Sequence, residues 1–281
     1  MSQSGPFKVI LNPAASGGRG ARLLPRIQTG LEERGAGYTL TMTRGPGHAR
    51  DLVLQAVEEG SSRVLVVGGD GTIHEVANGI LAAEGSPPAL AVLPVGTGND
   101  FFRMVGSART LDAALDTLLH GEVRRFEVGL ARFDGGSCHF VNLLGVGLDV
   151  EVLRRRSEFP RLAGLPQYLA ALSAAVVSFR PCPLRMEFME EGRIREGPVM
   201  LAILTVGPSI GGGFLLSPGA SPFDGFLDFC SVDPVGLGKV ARYVPRVIRG
   251  THARLPEFHF SRVRHLRLSR TDGHPFFFEL D

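Results

Sequence analysis

Three glycine-rich segments each follow directly on a short apolar run, and this arrangement limits the possible folds more than any other feature. The segments are residues 12–20, 68–72 and 96–100, and the apolar runs are residues 7–12, 64–67 and 90–94. A helical pattern of apolar residues comes after each segment. Strands that alternate with amphipathic helices predict a parallel sheet covered on both faces. We therefore predict a doubly wound α/β domain over residues 1–125.

The second half of the chain has a different pattern. Strand-like runs dominate it, at residues 123–128, 139–144, 184–189, 199–206, 226–232 and 266–268. Few helices separate them, the clearest being residues 166–179, with proline at the first helical position, and residues 239–249. This pattern predicts a separate, mainly antiparallel, β-rich domain of the β-sandwich type over residues 126–281. A cleft between the two domains is the expected ligand site.

Composition excludes several classes of protein. A content of 44% hydrophobic and 21% charged residues excludes disorder for most of the chain. No apolar run reaches the roughly 18 residues of a membrane span, and the first residues lack the pattern of a secretory signal. The cysteines Cys138, Cys182 and Cys230 lie far apart, which argues against zinc and against a disulfide framework. We expect a cytoplasmic protein.

Basic residues are unevenly distributed although the net charge is only +2. Residues 239–281 contain nine Lys or Arg against four Asp or Glu, and Arg154–Arg156 form a second cluster. Such patches are solvated faces, or they suit an anionic membrane surface or nucleic acid. The nucleic-acid interpretation lacks interleaved aromatics and known motifs, so we expect no nucleic-acid partner. Arg242, Arg246 and Arg249 share one face of the predicted helix and suggest transient membrane association.

The glycine-rich segments carry the chemistry. Glycines let backbone N–H groups approach a phosphate, and a helix N-terminus favours negative charge. The carboxylate of Asp70 would repel a bare phosphate, so a Mg²⁺ that bridges the two would explain an acidic residue in this loop. The alternative is that Asp70 is a capping residue in a tight turn. We predict that the three loops meet at one sheet edge, and that Thr72 and Glu75 form a capping box. The P-loop, the Rossmann fingerprint and the protein-kinase motifs are absent.

Several segments resemble the diacylglycerol kinase catalytic family, which includes sphingosine kinases and bacterial lipid kinases. The resemblance rests on NPAASGGRG at 12–20, VVGGDGTIHEVANG at 66–79 and LPVGTGND at 93–100. It continues through FVNLLGVGLD at 140–149, GGG at 211–213, SPGA at 217–220 and DGFLD at 224–228. The GGDG element alone also occurs in NAD kinases. The remaining elements are therefore the ones that favour the diacylglycerol kinase family over NAD kinases.

The resemblance implies an α/β nucleotide domain, a β-rich lipid-binding domain, and transfer of the γ-phosphoryl group of ATP to a lipid hydroxyl, as in diacylglycerol. It implies ATP and Mg²⁺ as cofactors, with Asp70 as a catalytic residue that organises Mg²⁺ through water. The implied nucleotide-binding residues are Asn12, Thr43, Gly68, Gly69, Asp70, Gly71, Thr72, Ile73, His74, Thr97, Gly98, Asn99 and Asp100. A second Mg²⁺ is implied at Asp224 with the backbone carbonyls of Ser221 and Phe226, and a turn acid is the alternative for Asp224.

The family ends its catalytic apparatus with Asp-Gly-Glu, and this sequence stops at Phe278-Glu279-Leu280-Asp281. The resemblance makes Asp281 the catalytic aspartate of that element, and we expect the sequence to be truncated after it. Strand alternation places Glu279 and Asp281 on one face. An NAD kinase-like small-molecule kinase and a non-catalytic nucleotide or lipid binder are the alternative functions. The expected partner is a lipid at a membrane surface, bound reversibly, and homodimerisation stays open.

Overall fold

The computed structural model describes residues 7–96, 98–106, 110–162 and 165–281, and the chain divides into two compact units. The first unit holds Met1–Arg125 and Arg132–His139, and the second holds Phe126–Ala131 and Phe140–Asp281. The longer segment of the first unit ends at Arg125, and residues 132–139 group with the same unit. The reason is local, because the side-chain amide of Asn78 bonds both the backbone N–H and the carbonyl of His139, each at 2.9 Å.

The described residues of the first unit form a four-stranded parallel sheet in the order β2-β1-β3-β4. Its strands are β1 (Phe7–Leu11), β2 (Tyr38–Met42), β3 (Arg63–Gly68) and β4 (Ala89–Pro94). Its helices are α1 (Ala15–Glu33), α2 (His48–Glu58), α3 (Asp70–Ala82), α4 (Asp100–Val105) and α5 (Leu111–His120). The predicted order of strands and helices is confirmed.

Both faces of this sheet are covered, as expected for a doubly wound fold. Val9 and Leu11 of β1 belong to a buried cluster with Ile27 of α1 and Leu115 of α5. Ile10 points to the opposite face because strand side chains alternate, and it is fully buried there. Helices α2 and α3 pack closely together and contact β1 and β3, respectively. A parallel sheet buried on both sides explains why its strands are continuously apolar in sequence.

The second unit is rich in antiparallel strands, as predicted. Strands β5 (Gly129–Phe133) and β6 (Gly136–Phe140) form a separate two-stranded pair, of which residues 132–139 belong to the first unit. The second unit also contains β7 (Leu143–Gly147), β8 (Cys182–Phe188), β9 (Arg193–Val199), β10 (Leu201–Thr205), β11 (Leu227–Val232), β12 (Phe258–Val263), β13 (Leu266–Arg270) and β14 (Phe278–Leu280). Its helices are α6 (Leu148–Arg156), α7 (Leu165–Ser178) and α8 (Leu237–Ile248).

Two sheets of the second unit face each other across an apolar core. One has the order β12-β11-β10-β7-β14 and the other has the order β13-β8-β9. Phe188 of β8 and Phe229 of β11 meet edge to face in this core, with ring centroids 5.7 Å apart. The opposite face of the five-stranded sheet presents Ile203, Cys230 and Val232 to a second cluster that includes side chains of α7 and α8. These contacts confirm a β-sandwich with helices on one side.

Two predicted strands of the second half are wrong, and one helix was missed. Residues 123–128 form no strand; Val123 is 67% exposed. The predicted strand 139–144 is broken between β6 and β7, because the N–H groups of residues 141–143 bond the Asp281 carboxylate instead of a neighbouring strand. Helix α6 was not predicted at all. Its last turn holds the Arg154–Arg156 cluster, where positive charge is favourable at a helix C-terminus.

Candidate active site

The three glycine-rich loops meet at the carboxyl edge of the parallel sheet, as predicted. They begin directly after β1, β3 and β4, which run parallel and in register. Backbone bonds continue across this edge, from Asn12 N to Val67 O at 2.9 Å and from Val95 N to Gly68 O at 2.9 Å. Thr43, just after β2, donates its N–H to Leu11 O at 2.8 Å. The sequence-predicted residues after all four strands therefore lie along one edge.

Glycine is required where the second and third loops touch. A Cβ on Gly96 would lie 2.6 Å from the Cα of Gly69, closer than two carbon atoms can approach. A Cβ on Gly71, by contrast, would meet nothing within 4 Å. The backbone at the start of α3 is therefore open to a ligand while its neighbours are packed backbone to backbone. This arrangement suits an anion bound by N–H groups at a helix N-terminus.

Asp70 joins the second loop to the third. It is the first residue of α3, and its Oδ1 accepts a hydrogen bond from the N–H of Phe101 at 3.1 Å. Asp100 is buried in the third loop, with its Oδ1 4.0 Å from Arg103 Nε. Asn99 adopts a left-handed conformation with φ of 53° and donates its Nδ2 to Gly96 O at 2.8 Å. The structure thus places two carboxylates in adjacent loops of this edge.

Other predicted nucleotide residues have structural partners of their own. Asn12 Nδ2 donates to Thr72 Oγ1 at 3.0 Å, so these two side chains tie the first loop to α3. Ile73 is only 1% exposed, so its side chain packs in the core and only its backbone can serve a ligand. His74 lies close to Asn78 and Cys138 on the side of the β5–β6 pair. Thr97 lies outside the described residues, and Gly98 accepts from Arg103 Nε at 3.3 Å.

The predicted capping box is wrong. Helix α3 begins at Asp70, before Thr72, and its N-cap Gly69 offers no side chain. Glu75 instead accepts from the N–H groups of Gly47 at 2.8 Å and Ala49 at 3.1 Å, at the N-terminus of α2. A carboxylate there is favoured by the helix dipole. The local spacing in sequence matched a capping box, but the partner is another helix.

In the second unit, Asp281 fixes the segment between β6 and β7. Its carboxylate accepts from the N–H groups of Val141, Asn142 and Leu143 at 2.8, 2.7 and 2.9 Å. Three charge-assisted hydrogen bonds of this length are strong. The structure therefore gives Asp281 a positioning role, and its assignment as a catalytic residue stays a prediction.

The sequence did not indicate a close pair of carboxyl groups, of which Asp149 is buried and Glu279 is half-buried. Glu279 of β14 is opposite Gly145 of β7, and Asp149 lies in the first turn of α6. Gly145 leaves room for both groups, since a Cβ there would lie 3.0 Å from Glu279 Oε1 and 3.1 Å from Asp149 Oδ2. Burial, and then the neighbouring Asp149 carboxylate, raise the pKa of Glu279 to about 10. The raised pKa favours the protonated form of Glu279.

The protonation of Glu279 predicts a specific pH dependence. Its pKa is about 10 in the folded chain, against an ordinary value near 4.5, so the folded state retains a proton that the unfolded chain loses. This contribution to stability is fully present below about pH 4.5 and is lost progressively as the pH rises toward 10. In Glu279→Gln the proton is replaced by a permanent amide. We expect the melting temperature of the unaltered chain to fall relative to Glu279→Gln between weakly acidic and weakly alkaline buffer, and a constant difference would contradict the assignment.

An apolar pocket lies next to this carboxyl pair, entirely within the second unit. Its walls come from α6, α7, α8 and the five-stranded sheet, with side chains such as Val152, Leu172 and Ile203. Its polar wall includes Asp149 and Tyr168, whose hydroxyl donates to Asp149 Oδ1 at 3.3 Å. Burial and the nearby Asp149 charge raise the pKa of Tyr168 well above its ordinary value. The pocket therefore offers hydrocarbon walls and a small number of polar groups, as ligand sites usually do.

The turn at Asp224 is already neutralised by an arginine. Asp224 Oδ1 accepts from Phe226 N at 3.1 Å, and the other oxygen is paired with Arg262. Burial and the Asp224 charge raise the pKa of nearby Asp228, although Arg262 lowers it. A Mg²⁺ here would have to displace the guanidinium, so the residues as arranged do not fit the ion. The predicted metal role of Asp224, Ser221 and Phe226 stays a prediction.

Two features are absent from the part of the chain that the structure describes. Nowhere in residues 7–96, 98–106, 110–162 and 165–281 do three or more His, Cys, Asp or Glu side chains cluster in a way that could hold a metal ion. Across the same ranges, no helix has the length and apolar character needed to cross a bilayer.

Comparisons with known proteins bear on both units. Residues 6–131 match the family model described as "Diacylglycerol kinase catalytic domain", and residues 142–281 match that described as "YegS C-terminal NAD kinase beta sandwich-like domain". A protein of Bacillus subtilis (strain 168) named "Diacylglycerol kinase" is 29% identical over 247 residues, which cover 87% of this chain and 79% of the relative. One of the same name from Mycobacterium tuberculosis (strain ATCC 25618 / H37Rv) is 28% identical, covering 92% and 84%.

A solved structure shares the fold of the whole chain. The crystal structure of a diacylglycerol kinase from Bacillus anthracis str. Sterne superposes with a TM-score of 0.79 and covers 100% of this chain and 90% of that chain. The two sequences are 21% identical, so this similarity establishes the fold alone.

Proposed function

Because the chain belongs to the diacylglycerol kinase catalytic-domain family, we propose that it is an ATP-dependent lipid kinase. It transfers the γ-phosphoryl group of ATP to the hydroxyl of a membrane lipid of the diacylglycerol type. Support comes from three sources: the phosphate-compatible loops of the first unit, the apolar pocket of the second, and relatives named diacylglycerol kinase. The observation that carries the lipid assignment is the apolar pocket with Asp149 and Tyr168 on its polar wall.

The carboxyl edge of the first unit is suited to the phosphates of ATP. The loops at Gly69 and Gly96 pack backbone against backbone and form a cradle, and the backbone at Gly71 is open. Phosphoryl transfer depends on positioning and on neutralising the phosphate charge, which Mg²⁺ supplies when it is bound with the nucleotide. A carboxylate is the ligand that Mg²⁺ prefers, and Asp70 presents one beside the cradle. Asp70 would hold the ion, and the loop N–H groups would hold the phosphate oxygens.

The second unit provides a binding site for an acyl chain. Burial of hydrocarbon in an apolar pocket is favourable by about 0.8 kcal/mol per CH₂ group. A soluble metabolite such as NAD would gain little from walls made of Val152, Leu172 and Ile203. Asp149 and the Tyr168 hydroxyl lie on the polar wall of the pocket, where they offer hydrogen-bonding groups to a neutral lipid headgroup.

Filling the pocket should weaken lipid binding selectively. Val244 of α8 lines the pocket, and Val244→Phe adds a ring to the space that an acyl chain would occupy. We expect the KM for the lipid to rise about tenfold, because the loss of a few buried methylenes costs about 1.4 kcal/mol or more. The KM for ATP should not change. Val177→Phe, at a position of α7 that is 75% exposed, is the matched control. An unchanged lipid KM in Val244→Phe would contradict the assignment of the pocket.

A panel assay tests the proposed function. Purified protein is incubated with Mg²⁺ and [γ-³²P]ATP, and the acceptors are diacylglycerol, a long-chain base, a ceramide and NAD. Label in a lipid acceptor supports the proposal. Label in NAD alone would establish the NAD kinase alternative, and binding of ATP and lipid without any transfer would establish a non-catalytic binder.

A further inference from the structure

Helix α8 has two faces of opposite character. The inner face of α8 carries Val240, Val244 and Val247, which line the apolar pocket. Its outer face carries Arg242, Arg246 and, at the C-cap, Arg249, all of which are exposed. Positions four and three residues apart lie on the same side of a helix, so the three guanidinium groups form one basic stripe. We call these three arginines the basic stripe.

The charge of the basic stripe is not compensated locally. Helix α8 contains no acidic residue. The carboxylate that contacts the helix, Glu257, is engaged by Lys239 Nζ at 2.6 Å and by the Tyr243 hydroxyl at 2.8 Å. Within the described part of the chain, no carboxylate comes within 4.0 Å of the guanidinium groups of the stripe. A solvent-facing helix usually intersperses both signs of charge, and α8 does not.

The other arginine cluster behaves differently. Arg155 pairs with Glu151 at 2.7 Å, and Arg156 donates to the side chain of Gln167 at 3.2 Å. Arg154 stacks over the ring of Phe277, with its guanidinium carbon 4.6 Å from the centroid. The arginines of α6 are therefore committed to contacts within the second unit. The basic stripe of α8 is the cluster left available to a partner.

We propose that the outer face of α8 is a reversible docking surface for an anionic lipid bilayer. Guanidinium groups bind phosphate well, and a basic helix face is attracted to anionic headgroups. Leu237, at the start of the same helix, is 48% exposed and supplies an apolar group for the interface. The inner face of α8 lines the apolar pocket, so docking brings the pocket to the surface where its lipid resides. That docking brings the pocket to its lipid rests on the proposed function, whereas the attraction of the basic stripe to anionic headgroups does not.

Vesicle binding tests the docking surface without any need for catalysis. The protein is sedimented with phosphatidylcholine vesicles, with or without phosphatidylglycerol, at low and high salt. The variant Arg242→Gln/Arg246→Gln removes two charges of the stripe. The matched control is Arg22→Gln/Arg26→Gln, which removes two exposed arginines at the same spacing from α1. We expect the stripe variant to bind anionic vesicles about 30-fold more weakly at low salt, and the control to bind like the unaltered protein.

Every other outcome overturns the proposal. Equal weakening of both variants would show attraction by net charge alone, and no weakening of either would place docking elsewhere. Failure of the unaltered protein to bind anionic vesicles, or tighter binding to a DNA oligomer, would assign the stripe to another partner. Melting temperatures check that both variants fold. Lipid phosphorylation in neutral detergent micelles requires the proposed kinase function but no anionic surface. It therefore tests the proposed function independently of the docking surface on α8.

Discussion

Replacing Asp70 by Asn is expected to lower phosphoryl transfer from ATP to lipid on the order of 10³-fold while leaving the fold intact. The amide oxygen of Asn can still accept the hydrogen bond from the N–H of Phe101, so the junction between the second and third loops is retained. What the variant lacks is the negative charge beside the cradle of Gly69 and Gly96. That charge is the feature that would hold Mg²⁺ against the phosphates of ATP.

Initial rates with [γ-³²P]ATP and diacylglycerol, together with thermal unfolding, measure this effect. The matched control is Asp112→Asn, which removes a surface carboxylate of α5 that is 70% exposed and 3.5 Å from Arg34. We expect the control to retain its activity. Turnover by Asp70→Asn at the rate of the unaltered protein would remove Asp70 from the catalytic machinery.

Replacing Asp281 by Ala is expected to cost about 3 kcal/mol of stability, the largest loss that we predict for a single surface-accessible carboxylate. Its carboxylate satisfies three backbone N–H groups, those of Val141, Asn142 and Leu143. Removing one partner of a buried hydrogen bond leaves the other without a partner, and here three donors are affected at once. We expect the segment between β6 and β7 to become less ordered. The C-terminal end of β14 should also lose the hydrogen bonds that hold it to this segment.

Chemical denaturation of the two chains gives this difference directly. Asp272→Ala is the control, because the Asp272 carboxylate is held by Arg270 and by the N–H of His274 in an exposed turn. Exposed pairs of this kind contribute about 0–1 kcal/mol. Equal stability of Asp281→Ala and the unaltered chain would show that the three bonds are replaced by water, and would leave a purely catalytic role for Asp281.

The sequence predicts the first unit well because its signals are local. Apolar strands, glycine-rich turns and amphipathic helices alternate within short windows, and parallel strands bring the loops after them to one edge. Glu75 is a residue whose contacts the local sequence pattern does not predict. Its position fits a capping box in α3, yet it caps α2, because only the packing of the two helices brings the N–H groups of Gly47 and Ala49 within reach.

The second unit is less predictable because its decisive contacts join distant residues. Glu279 meets Asp149 only because β14 pairs with β7, and nothing near Glu279 in sequence indicates a buried carboxyl partner. The break between β6 and β7 likewise depends on Asp281 at the far end of the chain. A signal for the pair does exist: Asp149 follows the apolar segment 143–148 directly, where a charged side chain must find a partner to be buried.

The most direct test of the account is to find where the acyl chain of the lipid lies. A diacylglycerol with a diazirine near the end of one chain is bound to the protein and irradiated, and the modified peptides are identified by mass spectrometry. We expect labels within residues 148–152, 168–172 and 240–247, which line the apolar pocket, and we expect Val244→Phe to reduce them. Labels confined to the first unit, or scattered over the surface without competition by unlabelled lipid, would contradict the assignment of this pocket to the lipid substrate.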